Sequence, residues 1–465
     1  MGLDAIIIVA YFCGMLCCGL WGMRLAKTSE HFAVAGRNLG FWIYFPCLST
    51  VLIGGGATFG SAKLSYECGI SGGWIAIMYG LGLMTMGAML SSRLANLRVL
   101  SISEMLERRY SSSARYLSAI ISTLYTAMLT VVQIIAIGTV LNTFLGWDMR
   151  MSMLVGGCIA ICYTLLGGMC SIVYTDIVQF ILMVIGVFVF LVPTAISKVG
   201  GIDALFKAVP ASYWNPVGLG WDRLLMYFLL MYLGIMIGQD IWQRIFTARD
   251  AKTSQRGTFF AGLFSVFWGA AMGLCGIVAF SLYPKLDHSQ LALASVVVGV
   301  MPTGLMGLVL AGLLSALMSS CSGQLLAAAT LLINDILLPT FPGLSRINEM
   351  TLNRLITALT GMAALWTALV IGDVLYALDV AYALLSGCVF IPVIAGFFWP
   401  RATARGALWS MGGSILVTVI CIVNYGPSSV QTICSGLAIS ALGMYLGSIT
   451  DKAPQPRPAE FDMAG

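Results

Sequence analysis

Apolar residues in this chain come in stretches of about 20, the length a helix needs to cross a hydrocarbon core, and they do not alternate as strands would. Thirteen such windows follow one another, near 4–23, 41–66, 72–92, 116–143, 151–168, 171–194, 224–243, 257–283, 303–334, 352–372, 376–399, 404–424 and 429–448. A helix satisfies its own backbone in lipid, where no water can do so. The pattern therefore predicts an all-α polytopic membrane protein of about 13 transmembrane helices.

Four windows break the apolar pattern. The ninth carries a polar stripe: Ser315, Ser319, Ser322 and Gly323 fall at helical spacings, and Ala316, Ser319 and Ser320 share the adjoining face. Hydroxyl and backbone oxygens suit a small hard cation such as Na⁺. The alternative is that these serines are small packing points or bond back to the preceding turn. The second window holds Pro46, Ser49, Thr50, then Gly54-Gly55-Gly56 and Lys63. Each mid-span glycine weakens a helix by about 1 kcal/mol relative to alanine. A break there would release carbonyls, which is tolerated only against protein or a watery cavity. The alternative is a glycine-rich helix contact.

The sixth window carries Tyr174, Thr175, Asp176 and Gln179. A carboxylate inside a span is a functional candidate by default, although a helix start also favours an acid. The seventh is interrupted by Gly234 and Gly238 and ends GQDIWQR, which gathers Gln239, Asp240, Gln243 and Arg244 at the cytoplasmic end. Two interrupted spans, five apart, point to a five-plus-five inverted repeat with a transporter's binding site at the breaks. A solute is expected near Thr50–Thr58 and Tyr232–Gln239, with Gly55, Gly56, Thr58, Tyr232 and Gln239 as candidate contacts.

Composition agrees with the pattern. Of 465 residues, 59% are hydrophobic and 9% charged, against roughly 25% charged in a soluble domain. The net charge of +5 is spread through short loops beside the spans, so it argues for orientation and not for nucleic acid. With the N-terminus outside, Lys and Arg favour the inner side three to one, which predicts a cytoplasmic C-terminus. His31 and His288 lie far apart in predicted loops, and the 13 cysteines show no zinc spacing. No His-Glu-x-x-His occurs and no span holds an acidic pair, so an enzyme is not expected. No cleavable signal peptide or Asn-x-Ser/Thr sequon is evident, consistent with a bacterial inner-membrane protein. The expected partners are a small-molecule solute and the lipid bilayer, with the monomer as the working unit.

Five motifs in order resemble those of the sodium/solute symporter family. HFAVAGRNLG (31–40) is similar to the family's loop after the first span. SISEMLERRY (101–110) resembles its Glu-and-Arg-Tyr loop. YTLLGGMCSIVYTDIVQ (163–179) resembles its double-glycine signature and acidic span. IWQRIFTARDAKTSQRG (241–257) resembles its Gln-Arg loop, and LSALMSSCSGQLLAAATLLINDI (314–336) its cation-binding helix. The resemblance implies a leucine-transporter-type fold. Residues 1–40 would form a first helix and cytoplasmic loop, 41–194 and 224–399 the two repeats, 400–449 peripheral helices and 450–465 a tail.

It also implies Na⁺-coupled alternating access. By analogy Na⁺ takes carbonyls of Thr50 and Ile53, the Ala316 carbonyl, and the hydroxyls of Ser319 and Ser320. Some members hold a second Na⁺, for which Asp176, Ser319 and Ser322 match, whereas Gly323 stands where those members have a serine. The side chains that bind sugar in sugar-carrying members are not matched, because this chain has Gly54, Gly56 and Ala57 there. Amino acids, carboxylates and vitamins stay open as substrates. Proton coupling on the same fold, or a solute sensor or channel, are the alternatives. Lys63 and Asp379 both fall at the outer side and are expected to meet as an outer-gate ion pair or to hold the two ends of a zwitterionic solute; otherwise Lys63 snorkels or pairs with Glu67.

Overall fold

The computed structural model describes residues 2–23, 37–97, 99–451, 458 and 461, with side chains for all of these except 18–23 and 166–171. His31, most of the first motif and most of the predicted tail lie outside the described residues. The described residues form helices, with no strand beyond an isolated bridge between Leu39 and Ala248. Ten helices among them are long and apolar enough to cross a membrane, and four shorter apolar helices accompany these.

The principal helices are α1 (Leu3–Met23), α2 (Phe41–Leu52), α3 (Ser61–Cys68), α4 (Trp74–Met89), α5 (Ser112–Leu145), α6 (Met149–Val184), α7 (Trp221–Tyr227, continued to Ile235), α8 (Gln239–Ile245), α9 (Ala251–Leu282), α10 (Leu305–Thr330), α11 (Glu349–Ile371), α12 (Val374–Phe398), α13 (Ala404–Tyr425) and α14 (Val430–Ile449). The second window is broken as its glycines predict: α2 stops at Leu52, and a wide helical turn at Gly56–Gly60 leads into α3. The seventh is broken at 236–238, between the continuation of α7 and α8.

Windows five and six differ from expectation. Their backbone is helical throughout α6. Yet the hydroxyls of Tyr163 and Thr175 lie 2.5 Å apart, whereas residues twelve apart on a straight helix stand about 18 Å apart. The chain therefore doubles back between them, and two crossings share one run of helical hydrogen bonding. A short helix at Ala292–Val300 was also not foreseen.

The ninth window forms the hub. α10 is buried along nearly its whole length, and Asp4 of α1 closes its N-terminus by accepting from the amides of Gly304 (2.8 Å) and Gly307 (2.7 Å). α4 and α9 meet along a glycine seam. A methyl on Gly80 would stand 2.5 Å from the Gly262 carbonyl oxygen, and one on Gly262 equally close to that of Gly80. Small residues let backbones approach closely where no hydrophobic drive between helices exists. At the periphery, Leu355, Leu359, Met362, Trp366 and Val370 of α11 form one exposed apolar stripe, as a lipid-facing helix requires.

The motifs expected on the cytoplasmic side act as fasteners. Ser101 caps the helix Ile102–Arg109 by accepting the Glu104 amide (2.9 Å), and Glu104 reaches back past the cap to accept the Leu100 amide (2.8 Å), a variant of the capping box. Arg115 joins this region to the lower end of the hub through Asp335 and Glu107.

Candidate functional site

The site is organised by the fate of one amide. In a continuous helix the Gly55 N–H would bond the Val51 carbonyl. Here it donates instead to the Gln133 side-chain oxygen from α5, at 2.7 Å. The freed Val51 carbonyl accepts from the Ser320 hydroxyl of α10 at 3.0 Å, and the Thr50 carbonyl lies 3.2 Å from the same hydroxyl. The break in the second crossing and the hydroxyl face of the hub thus point at each other. A side chain at Gly54 would displace the Gln133 amide and the Ser320 hydroxyl, because a methyl there would overlap both.

Thr50, Ile53, Ala316, Ser319 and Ser320 are all fully buried. Ser320 faces the break directly. Ser319, next along the chain, turns to the neighbouring helix and donates to Asp176 at 2.5 Å. The two hydroxyls expected side by side therefore have different protein partners.

The second expected cation position reads differently. Asp176 lies 3.4 Å from the guanidinium of Arg244, and both side chains are sealed from solvent at 0% and 1% exposure. Arg244 also donates to the Cys47 carbonyl at 3.1 Å, within α2 a little over a turn before the break. Ser322 does not join Asp176; its hydroxyl bonds back to the Ser319 carbonyl at 3.0 Å. A methyl on Gly323 would run into the Arg244 guanidinium. The missing serine is thus the space an arginine occupies, and a protein cation stands beside the carboxylate where a second Na⁺ was expected from Asp176, Ser319 and Ser322.

Between the two breaks lies a small void of about 20 Å³, room for about one water. Gly54 and Gly56 border it, as do Gln133, Asp240, Gln324 and the rings of Tyr79 and Tyr382. Of the five expected solute contacts, only Gly56 lines this void. Gly55 gives its amide to Gln133. Thr58 accepts from the Trp268 indole at 3.1 Å. Tyr232 turns towards α4 and bonds Thr85 at 2.9 Å. Gln239 is spent on the fastener at Leu100–Ile102, accepting the Ile102 amide (2.8 Å) and donating to the Leu100 carbonyl (3.2 Å). Sequence reasoning missed Gln133 and Gln324, although a lone amide side chain in an apolar window was a usable signal. It also noted Asp240 without assigning it a role.

The end of the bundle expected to face outward opens into two cavities of about 630 and 510 Å³ that share Lys63 and Asp373. Lys63 does not pair with Asp379. It pairs with Asp373 at 2.5 Å, because Asp373 caps the outer end of α12 whereas Asp379 lies more than a turn deeper and is bonded to Ser428. Burial raises the Asp373 carboxyl, but the Lys63 bond and the amides at the start of α12 outweigh it and hold the group below its usual range. Lys63 and Asp379 line the same cavity without touching.

Comparison with known proteins bears on family and fold. The sequence profile described as the sodium:solute symporter family matches residues 32–413. The chain is 25% identical to a sodium/pantothenate symporter of Escherichia coli (strain K12), over 96% of this chain and 97% of that protein. It is 25% identical to sodium/glucose cotransporter 4 of Danio rerio (90% and 71% covered) and 23% identical to a high-affinity choline transporter of Caenorhabditis elegans (90% and 77%). In fold it is similar to a Na⁺-coupled sialic acid symporter solved in a substrate-bound outward-open state, with a TM-score of 0.83, 18% identity, and 98% and 99% of the two chains covered. A match over most of the chain, around two facing helix breaks, makes this protein a member of the sodium:solute symporter family, a membrane transporter with Na⁺ as its coupling ion.

Proposed function

We propose that the protein imports a small polar solute together with Na⁺ by alternating access, and that the ion sits between the break after α2 and the hydroxyl face of α10. The ligands on this reading are the carbonyls of Thr50 and Ile53, with Val51 as neighbour, the Ala316 carbonyl, and the hydroxyls of Ser319 and Ser320. The observation that carries it is the Ser320 hydroxyl at 3.0 Å from the Val51 carbonyl. Those oxygens already converge, so Na⁺ need only replace the hydroxyl proton's contact with its own. Five or six oxygens, none formally charged, suit a monovalent hard cation.

Na⁺ bound there ties the second crossing to the hub and favours the state ready for solute. By linkage solute then tightens Na⁺ to the same degree. The solute reaches the central void from the outer cavities, and the Lys63–Asp373 pair stands at their boundary. We assign Arg244 as a fixed cation beside Asp176 in place of a second Na⁺, so that one Na⁺ enters per cycle. The finer topology belongs to the same proposal: thirteen crossings, N-terminus outside, two inverted repeats over 41–194 and 224–399, and a monomer in the cell membrane. The names of the relatives span glucose, pantothenate and choline, so family membership alone leaves the solute open.

The test is solute uptake in proteoliposomes with Na⁺ replaced by choline at fixed pH. Accumulation against a gradient that collapses without Na⁺ supports the reading. Equal uptake driven by a proton gradient alone would sink it, as would passive equilibration without accumulation.

A further inference from the structure

We infer that the transported solute carries a protonated amine, and that Asp240 holds it. The inference rests on the proposal that the solute reaches the central void, which at about 20 Å³ has room for its ammonium head alone until the site opens. Asp240 is 2% exposed and stands at the start of α8, facing the void. Its carboxylate accepts the Tyr125 hydroxyl at 3.2 Å, and no cation lies within 4.0 Å of it among the described residues. Two carboxylates, Asp176 and Asp240, share one buried guanidinium, that of Arg244. It touches Asp176 and acts on Asp240 only from beyond contact distance, so Asp240 has no cation against it.

A buried carboxylate without a cation is costly, and such groups in membranes mark the path of a charged ligand or a proton. The helix N-terminus of α8 favours a carboxylate there but supplies no counter-ion. A second lone acceptor borders the same void. The Gln324 side-chain oxygen is buried and has no hydrogen-bond partner. A carboxylate without a contact cation beside an acceptor without a donor matches an N–H-bearing ammonium; a neutral sugar could donate to both but brings no charge to set against Asp240, and a carboxylate brings the wrong one. The rings of Tyr79 and Tyr382, 5.5 Å apart, add faces that attract a cation. The outer cavity is consistent with this, with Glu67, Asp373 and Asp379 set against Lys63 and Arg223. The Asp379 side chain there has an oxygen without a partner.

The experiment is thermal stability of the purified full chain, first against Na⁺ alone and then, at saturating Na⁺, against each of the amino acids and the diamine putrescine. D-glucose, pyruvate and choline serve as probes lacking an ammonium N–H. Expected is stabilisation by Na⁺, a further shift from at least one amine probe, and none from the three others. Asp240→Asn should raise the half-saturating concentration of that amine by at least about tenfold while the shift with Na⁺ alone persists. Gln324→Met should raise it by about three- to tenfold, which keeps the test open if the first variant does not fold. A Na⁺ shift to which no amine adds, or an amine response unchanged in Asp240→Asn, overturns the inference and leaves Na⁺ coupling standing. Absence of any Na⁺ shift in the unmodified chain overturns both readings.

Discussion

The Gln133 side-chain oxygen lies 2.7 Å from the Gly55 amide, and through that one bond α5 holds the second crossing open. Removing it should close the break. In Gln133→Leu the Gly55 amide can return to the Val51 carbonyl, which then no longer faces Ser320. We expect apparent Na⁺ affinity to fall by about tenfold or more, with a stability change of about 1–3 kcal/mol. Na⁺ titration of uptake beside a thermal melt separates the two effects. Unaltered Na⁺ dependence would show that the break does not supply the ion's ligands.

Ser320→Ala removes the hydroxyl that meets the break, and Ser319→Ala one that Asp176 already holds. The first substitution should weaken Na⁺ by about 10- to 100-fold, on the scale of losing one buried polar partner. The second should weaken it less and should also destabilise the Asp176–Arg244 pair. The pair of Na⁺ titration curves decides the order, and the reverse order would contradict the assignment.

Asp176 and Arg244 are sealed together, so removing either alone strands a buried charge. Arg244→Met is expected to cost about 3–5 kcal/mol, and Asp176→Leu with Arg244→Met together far less. Melting curves of the two single variants and the double give the coupling directly. In the unmodified protein the Na⁺ dependence of uptake should show a Hill coefficient of about one. A coefficient near two would mean that a second Na⁺ binds despite the arginine.

The Lys63–Asp373 pair is partly exposed, at 14% and 41% of the two side chains, so its worth is small, about 0.5 kcal/mol after solvent screening. Its pH range is nonetheless defined. The Asp373 carboxyl is held below its unfolded value, so the contribution is complete above the ordinary carboxylate range and is lost as pH falls through the lowered folded value. Double-mutant cycles with Lys63→Met and Asp373→Asn should give the same coupling at pH 8 and pH 5. Loss of coupling already between pH 8 and 6 would exclude this account.

Much of the fold was legible because bilayer helices must be apolar over a fixed length. Gly54, Gly55, Gly56, Gly234 and Gly238 marked both breaks correctly. What failed had local causes. Nothing in the windows 151–168 and 171–194 shows that helical hydrogen bonding continues through their turn. Lys63 met Asp373 rather than Asp379 because reach at a helix end depends on depth and direction, which hydropathy does not encode. Thr58, Tyr232 and Gln239 were expected near the solute from their position beside the breaks. Each faces away, and facing is a matter of rotation about an axis that irregular backbone resets. Arg244 was read as a cytoplasmic end residue, yet its long side chain reaches up into the bundle because Gly323 leaves it room.

That arginine has an energetic consequence for the cell. A sodium ion beside Asp176 would enter, cross and leave, adding its own gradient to the work done on the solute. A guanidinium bonded to the polypeptide completes no such circuit. With one Na⁺ per turnover, a tenfold Na⁺ gradient and a 100 mV potential supply about 3.7 kcal/mol, enough to concentrate a solute of no net charge about 500-fold. Two ions would permit the square of that ratio. If that cation stands in for a second Na⁺ as proposed, the protein settles for the shallower limit and spends half as much sodium on each molecule it brings in.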